Sequence, residues 1–206
     1  MDTKKLTEIL AAMSRRIEKE KDFLTDLDNA TGDGDHGINM AKGFAAVTAK
    51  LPQMESLLPG AVLKTVGMTL VSEVGGSSGP LYGTAFMRVG MTLGGKETFG
   101  MDDFLAGMKA GIEGVMMRGH AVQGEKTMLD SMIPALSAMA QAHAAGQSAK
   151  EIVTAGAAAA QNGVEFTKTI VATKGRASYI GERSIGHQDP GATSFTCLLE
   201  EIALAL

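Results

Sequence analysis

The stretch LTEILAAMSRRIEKEKDFLTDL, residues 6–27, shows the pattern that decides the fold of this chain. Its apolar residues recur at spacings of three and four, which places them on one face of a helix. The stretch therefore predicts one long amphipathic helix or two consecutive ones. The apolar positions are Leu6, Ile9, Leu10, Met13, Ile17, Phe23, Leu24 and Leu27.

The same periodicity recurs outward from this stretch to the end of the chain. It predicts further helices from about residues 38 to 52, 62 to 74, 80 to 93, 104 to 116, 128 to 139, 148 to 170 and 190 to 202. No segment has a convincing strand pattern. We therefore predict an all-α fold, a bundle of about eight amphipathic helices.

Boundary signals support these helices. One helix is predicted to stop near Pro52, and Pro80 fits the first position of another, where its missing N–H is not needed. Ser148 and Glu151 have the spacing of a capping box. The dipeptide Asp189-Pro190 is predicted to cap and open the last helix.

Composition limits the classes of function. The 206 residues are 45% apolar but only 4% aromatic, which favours helices over sheets. A net charge of −4 without a Lys/Arg-rich run argues against nucleic acid or an anionic membrane as partner. The lone Cys197 cannot form an internal disulfide, and no window holds the ~20 apolar residues of a membrane span. We expect a cytoplasmic protein with one domain, residues 1–206.

The segment DNATGDGDHGIN, residues 28–39, lies between two predicted helices and carries Asp28, Asp33 and Asp35. Turn formation or helix capping accounts for any one of these aspartates. Three ionised carboxylates repel one another, so a divalent cation is the simplest way to hold them close. Metal binding is therefore favoured over a turn with a cap.

The spacing of the loop residues and the chemistry of their side chains distinguish the candidate metals. An EF-hand needs Gly at its sixth position and Glu at its twelfth, and neither frame of this loop supplies them. Zinc is disfavoured because His36 is the only softer ligand nearby and no cysteine is close. Carboxylate oxygens suit Mg²⁺, which is commonly shared with substrate phosphates. We therefore predict magnesium and look for phosphate-binding groups.

Two predicted helix starts offer amide groups to a phosphate. One is the run His36-Gly37-Ile38-Asn39, and the other follows the turn Gly75–Pro80, which adds the hydroxyls of Ser77 and Ser78. The turn is not a Walker A motif, because the Lys and Ser/Thr after the last glycine are missing. Alone it is more often a plain connector, but beside a carboxylate cluster it favours nucleotide phosphate.

The stretch TKGRASYIGERSIGHQDPG, residues 173–191, is too polar for a core. Arg176 offers a planar fork for phosphate, and the turn Asp189-Pro190-Gly191 could close over a base or ribose. A solvated loop explains Arg183 equally well, and His187 fits either a loop hydrogen bond or a partner contact. On residue type alone, Met128 is a core residue and Gly119 a turn residue.

Four motifs follow one another through nearly the whole chain: LDNATGDGDHGINM (27–40), GGSSGPLYGT (75–84), RGHAVQGEKTMLD (118–130) and KGRASYIGERSIGHQDPGATS (174–194). Together they resemble the nucleotide-binding L subunit of bacterial dihydroxyacetone kinases, particularly the type driven by the phosphoenolpyruvate phosphotransferase system. The resemblance implies a barrel of eight antiparallel helices with ADP or ATP held at one end through two Mg²⁺ ions.

The resemblance also implies site residues by motif position. Asp28, Asp33 and Asp35 become the magnesium ligands, and no residue is implied as a general acid or base. The implied nucleotide contacts are His36, Gly37, Ile38, Asn39, Ser77, Ser78, Gly119, Met128, Arg176, Asp189, Pro190 and Gly191. The departures from the family pattern, such as GEKT and Gly34, remove no carboxylate or hydroxyl that this chemistry needs.

Two partner subunits are implied by the family. One holds dihydroxyacetone covalently through a histidine, and the other carries a phosphohistidine that rephosphorylates the bound ADP. Phosphoryl transfer from Mg-bound ATP to dihydroxyacetone is the leading hypothesis. The alternatives are an ATP-exchanging ketose kinase subunit, a nucleotide-state-dependent regulator of a transcription factor, and a metal-stabilised helical protein without nucleotide.

Overall fold

Nine α-helices and one 3₁₀ helix make up the regular structure, and the chain has no strand. The computed structural model describes all residues, 1–206. The first 31 residues form two helices broken at Glu20. The elements are α1 Thr3–Lys19, α2 Lys21–Thr31, α3 His36–Met54, α4 Pro59–Glu73, α5 Ser78–Leu93, α6 Met101–Gly119, α7 Leu129–Ala144, α8 Ala149–Thr167, the 3₁₀ helix Arg176–Ser184 and α9 Pro190–Ala205.

Eight of these helices close into a ring. Going around it, α1 packs against α3, each helix from α3 to α8 packs against the next one in the chain, and α9 packs against both α8 and α1. The remaining helix, α2, packs against α3 and α9. The predicted barrel of about eight helices is confirmed. A continuous cluster of 37 buried apolar residues fills the space that the ring encloses.

Short connections decide where the site lies. Helices joined by a few residues run antiparallel, so alternate connections fall at the same end of the ring. One end collects the connections α2–α3, α4–α5, α6–α7 and α8–α9. Each of these four connections overlaps one of the four polar motifs. The other end holds the N-terminus, where the Met1 amino group donates to the carbonyl of Phe99 at 2.6 Å.

The α4–α5 pair shows why glycine recurs inside these helices. A Cβ added to Gly67 would lie 2.6 Å from the carbonyl oxygen of Gly83, and one added to Gly83 would lie 2.7 Å from that of Gly67. Gly60 and Gly90 face each other in the same way. Such short distances leave no room for a side chain. These glycines therefore allow the two helix backbones to pack closely along their length.

Helix boundaries confirm some predictions and correct others. The Ser148–Glu151 capping box is present, and the Asp189 carboxylate accepts the amide of Ala192 at 2.7 Å. The helix predicted to stop near Pro52 is α3, which includes Pro52 and ends two residues later at Met54. Only one helical hydrogen bond is lost so near the end. Pro80 is the third residue of α5 instead of the first, and N–H groups of the first turn need no helical partner there either.

No helix in the structure combines the length and apolar character needed to cross a bilayer.

Candidate functional site

A cavity of about 480 Å³ opens at the end of the barrel where the four polar connections meet. Every one of these connections contributes to its lining, from the aspartate loop to the start of α9. Twelve of the residues predicted from sequence line it: Asp28, Asp33, Asp35, His36, Ser77, Ser78, Gly119, Met128, Arg176, Asp189, Pro190 and Gly191.

The three aspartates of the α2–α3 connection converge. One carboxylate oxygen from each of Asp28, Asp33 and Asp35 lies within 4.8 Å of the others. Gly34, at φ +72°, turns the backbone between the last two. Such an all-oxygen cluster fits a hard divalent cation.

Capping explains only one of these carboxylates. Oδ2 of the buried Asp28 accepts the amides of Asp35 at 2.9 Å and His36 at 3.1 Å, which fixes the loop on the start of α3. Asp35 occupies the N-cap position of α3, but its side chain makes no capping bond. Asp33 is paired with Arg176, whose Nη2 lies 2.8 Å from its Oδ2. Two carboxylates are thus free of any role in the turn.

His36 connects three helix starts beneath the cavity. Its Nδ1 lies 3.0 Å from the hydroxyl of Ser78 on α5, and its Nε2 lies 2.9 Å from the hydroxyl of Ser194 on α9. The Tyr82 hydroxyl lies 2.7 Å from the Ser194 hydroxyl and completes the chain of contacts. Burial lowers the pKa of His36 to about 4 and raises the pKa of Tyr82, so both side chains are neutral at neutral pH.

The glycine-rich turn places Ser77 and Ser78 at the start of α5. Ser77 is the N-cap residue, yet its hydroxyl makes no capping bond, and the exposed Gly76 before it has φ +64°. The first amides of α5 therefore have no side-chain acceptor, and Ser77 and Ser78 line the cavity. A helix start with uncommitted amides and a free hydroxyl suits an anion.

The segment 168–189, which joins α8 to α9, covers one side of the cavity. Its Lys174, Gly175, Arg176 and Ala177 line the cavity. Gly175 has φ +63° just before the 3₁₀ helix. Asp189, at the end of the segment, caps α9, and burial raises the pKa of its carboxyl to about 7.

The run His36–Asn39 only partly fits its prediction. Gly37, Ile38 and Asn39 do not line the cavity. A Cβ on Gly37 would lie 2.0 Å from the carbonyl oxygen of Lys21, so this glycine is packed against α2, while Ile38 is 56% exposed. Asn39 lies against Gly75. The amide of His36 is also taken by Asp28, so the start of α3 holds the metal loop instead of facing an anion with all its amides.

Other lining residues were missed from sequence. Tyr82 and Leu81 belong to the apolar stripe of α5, and Arg118 ends α6 as an ordinary basic residue. Lys126 belongs to the run GEKT, which departs from the family pattern, and the sequence indicated no role for it. The remaining missed residues are Thr31, Gly76, Pro80, Val115, Ala121, Thr127, Leu129, Lys174, Gly175 and Ala177. All of these except Val115 lie inside the four motifs, but their residue types alone do not indicate contact with a ligand.

The fold is a ring of helices with a carboxylate cluster at one end. The chain belongs to the DAK2 domain family, whose profile matches residues 30–204. It is 42% identical over 186 residues to the Escherichia coli K12 protein "PEP-dependent dihydroxyacetone kinase, ADP-binding subunit DhaL", covering 90% of this chain and 89% of that one. The first such protein of Listeria innocua is 44% identical over 183 residues, with 89% and 86% covered. The resemblance drawn from the four motifs is confirmed.

Solved structures agree on the fold. Crystal structures of the dihydroxyacetone kinase of C. freundii, in the native form and in complex with AMP-PNP and Mg²⁺, superpose with TM-scores of 0.74 and 0.71. The superpositions cover 97% of this chain and 34% and 33% of that longer one, at 24% and 23% identity.

We expect Asp189→Asn to make the chain more stable than wild type at pH 8 and to lose this advantage by pH 5. The pKa of Asp189 is raised in the folded state, so the folded protein binds more protons than the unfolded chain between about pH 4 and pH 7. Wild-type stability therefore falls as pH rises through this window, whereas asparagine cannot ionise. Urea unfolding without nucleotide or metal at both pH values measures the difference. A constant difference, like that expected for the exposed Asp26→Asn, would contradict the assignment.

Proposed function

We propose that this chain is the ADP-binding subunit of a dihydroxyacetone kinase of the phosphotransferase-dependent type. The observation that carries the proposal is the convergence of three carboxylates, one open helix start and Arg176 on a single cavity. The family and the names of relatives at 42% and 44% identity support the same function. We treat residues 1–206 as one nucleotide-binding unit.

Asp28, Asp33 and Asp35 would hold two Mg²⁺ ions. When bound, these ions neutralise phosphate oxygens and align the γ-phosphoryl group for transfer. The chain's own contribution is to keep the carboxylates in place. Asp28 does so through the amides of Asp35 and His36, which fix the loop to α3.

The nucleotide phosphates would lie at the start of α5. The amides there and the Ser77 hydroxyl would donate to phosphate oxygens, while His36 orients the Ser78 hydroxyl through its Nδ1. Arg176 reaches the aspartate cluster from the opposite wall and adds positive charge beside the phosphates. The base and ribose would be enclosed by Gly119, Met128 and the turn Asp189–Gly191, which line the rest of the cavity.

His36 is not available as a general base for the substrate hydroxyl. His36 is buried and already contacts Ser78 and Ser194 on both nitrogens, and its pKa is lowered to about 4. Dihydroxyacetone would therefore be held and activated on a separate subunit. A second partner would return a phosphoryl group from phosphohistidine to the bound ADP. A contact with a transcriptional regulator that depends on ADP or ATP is the alternative role, which a pull-down with each nucleotide form would test.

The test of this proposal is the nucleotide content of the purified chain. Protein prepared without added nucleotide would be denatured and its supernatant assayed for adenine nucleotide and magnesium. About one equivalent of ADP per chain is the result expected if nucleotide stays in place as a coenzyme. An empty chain that binds Mg-ATP reversibly would favour the exchanging, ATP-driven kinase. A chain that binds neither would overturn the proposal.

A further inference from the structure

Lys126 is a buried lysine in the connection between α6 and α7. It is only 2% exposed, and its backbone adopts φ +61°, which is unusual for a residue with a side chain. Its Nζ donates to three backbone carbonyls: Thr167 at 2.5 Å, His187 at 2.5 Å and Ile170 at 3.4 Å. An ammonium has three donors, so Lys126 has none left for a phosphate.

The three carbonyls belong to the two ends of the segment 168–189. Thr167 is the last residue of α8, and its carbonyl is among those that no helical amide satisfies. His187 lies near the other end of the segment, just before the Asp189 cap of α9. Lys126 therefore links the two ends of this segment, which are distant in the sequence. It closes the base of the loop that the segment forms.

Further contacts mark the same base. The amide of Asp189 donates to the hydroxyl of Thr167 at 2.9 Å, and the amide of Gly186 donates to the carbonyl of Lys168 at 2.8 Å. From this closed base the loop extends to Arg176, which pairs with Asp33 across the cavity. The loop is thus held at its base by one cation and at its tip by another.

Burying an ammonium is costly, and burial lowers the pKa of Lys126 while Asp189 and Asp130 oppose this effect. An apolar side chain of similar size would fill the same space at less cost. The three converging carbonyls explain why a charged group is present instead. They need a donor, and the Lys126 ammonium lies within hydrogen-bonding distance of all three.

We infer that Lys126 is a positioning residue that closes the base of the loop 168–189 and thereby keeps the loop over the bound nucleotide. Its Nζ contacts three backbone carbonyls and none of the three clustered aspartates, so it acts through the loop. This inference rests on the proposed function, because it assigns to the loop the retention of ADP in the cavity.

The test compares Lys126→Met with wild type in two assays. We expect trypsin cleavage after Lys174, Arg176 and Arg183 to accelerate about tenfold or more, since hydrogen bonds to a buried charge are lost at the loop base. ADP release, followed by displacement of a fluorescent ADP analogue, should accelerate by a similar factor. Lys150→Met, at the exposed start of α8 on the other end of the barrel, should change neither rate.

A loss of overall stability could imitate this result, so a second control is needed. Val153→Ala removes buried volume from the second turn of α8, far from the loop base, and destabilises the fold without touching that base. At equal loss of stability it should leave ADP release near the wild-type rate. If Lys126→Met does not fold, Thr167→Val removes the neighbouring tie to Asp189 and should give the same two effects, smaller in size.

The outcomes separate the inference from the proposed function. Unchanged cleavage of the loop in Lys126→Met would overturn the inference whether or not the chain binds ADP. Faster cleavage with unchanged ADP release would also overturn it, because the loop would then not retain the nucleotide. If wild type binds no ADP, the proposed function fails, and with it the retention role of Lys126.

Discussion

Asp35→Asn should weaken Mg²⁺-dependent ADP binding by at least about a hundredfold and leave the helical fold in place. Replacing even an outer partner of a metal ligand costs about 10- to 100-fold in metal affinity, and Asp35 supplies a ligand itself. Its carboxylate takes part in no capping bond, so the start of α3 does not depend on it. Calorimetric titration with ADP in the presence and absence of Mg²⁺ measures the effect, and circular dichroism checks the fold.

Asp26→Asn is the matched control, since Asp26 is an exposed aspartate on the neighbouring helix and should leave affinity unchanged. Asp28→Asn is a less clean test, because it disturbs a carboxylate that also holds the amides of Asp35 and His36. Retained Mg-ADP affinity in Asp35→Asn would contradict the role of Asp35 as a metal ligand.

Most of the fold could be predicted because its information is local. Each helix carries its own apolar stripe, and the opening stretch of residues 6–27 shows this as clearly as any other. The closed ring is less accessible to such reasoning, because it depends on α9 packing against α1 across the whole chain. Periodicity predicts a bundle, whereas the barrel was predicted only through the family resemblance.

The aspartate cluster was also predictable, because Asp28, Asp33 and Asp35 lie within one short loop. Their convergence needs only a turn at Gly34. The contacts of His36 with Ser78 and Ser194 could not be predicted, since they join residues brought together only by closure of the ring. The contacts of Lys126 could not be predicted for the same reason, because all its partners lie between Thr167 and His187, far away in the sequence.

The start of α3 gives different surroundings to four residues that one motif groups together. Family position placed His36, Gly37, Ile38 and Asn39 together at the nucleotide. Helix geometry separates them, because successive residues point about 100° apart around the axis and cannot all face one cavity. In the structure Ile38 faces outward and Gly37 faces α2, so His36 alone of the four lines the cavity.

Arg176→Met should lower the rate of phosphoryl transfer to dihydroxyacetone by about a thousandfold when assayed with both partner subunits. The reason is that an arginine that stabilises the transferred phosphoryl group contributes a factor of about 10³ or more to turnover. ADP affinity should change by less than about tenfold, since ADP lacks the γ-phosphate on which charge develops. Single-turnover measurement of transfer and direct titration with ADP give the two quantities.

Arg183→Met provides the control, because Arg183 is an exposed arginine of the same 3₁₀ helix that does not line the cavity. A different result would follow if the pair of Arg176 with Asp33 only fastened the tip of the loop. Arg176→Met would then release ADP faster, as expected for Lys126→Met, and retain its rate of transfer once nucleotide is saturating. The ratio of the two effects therefore decides whether Arg176 acts on the phosphoryl group or on the loop.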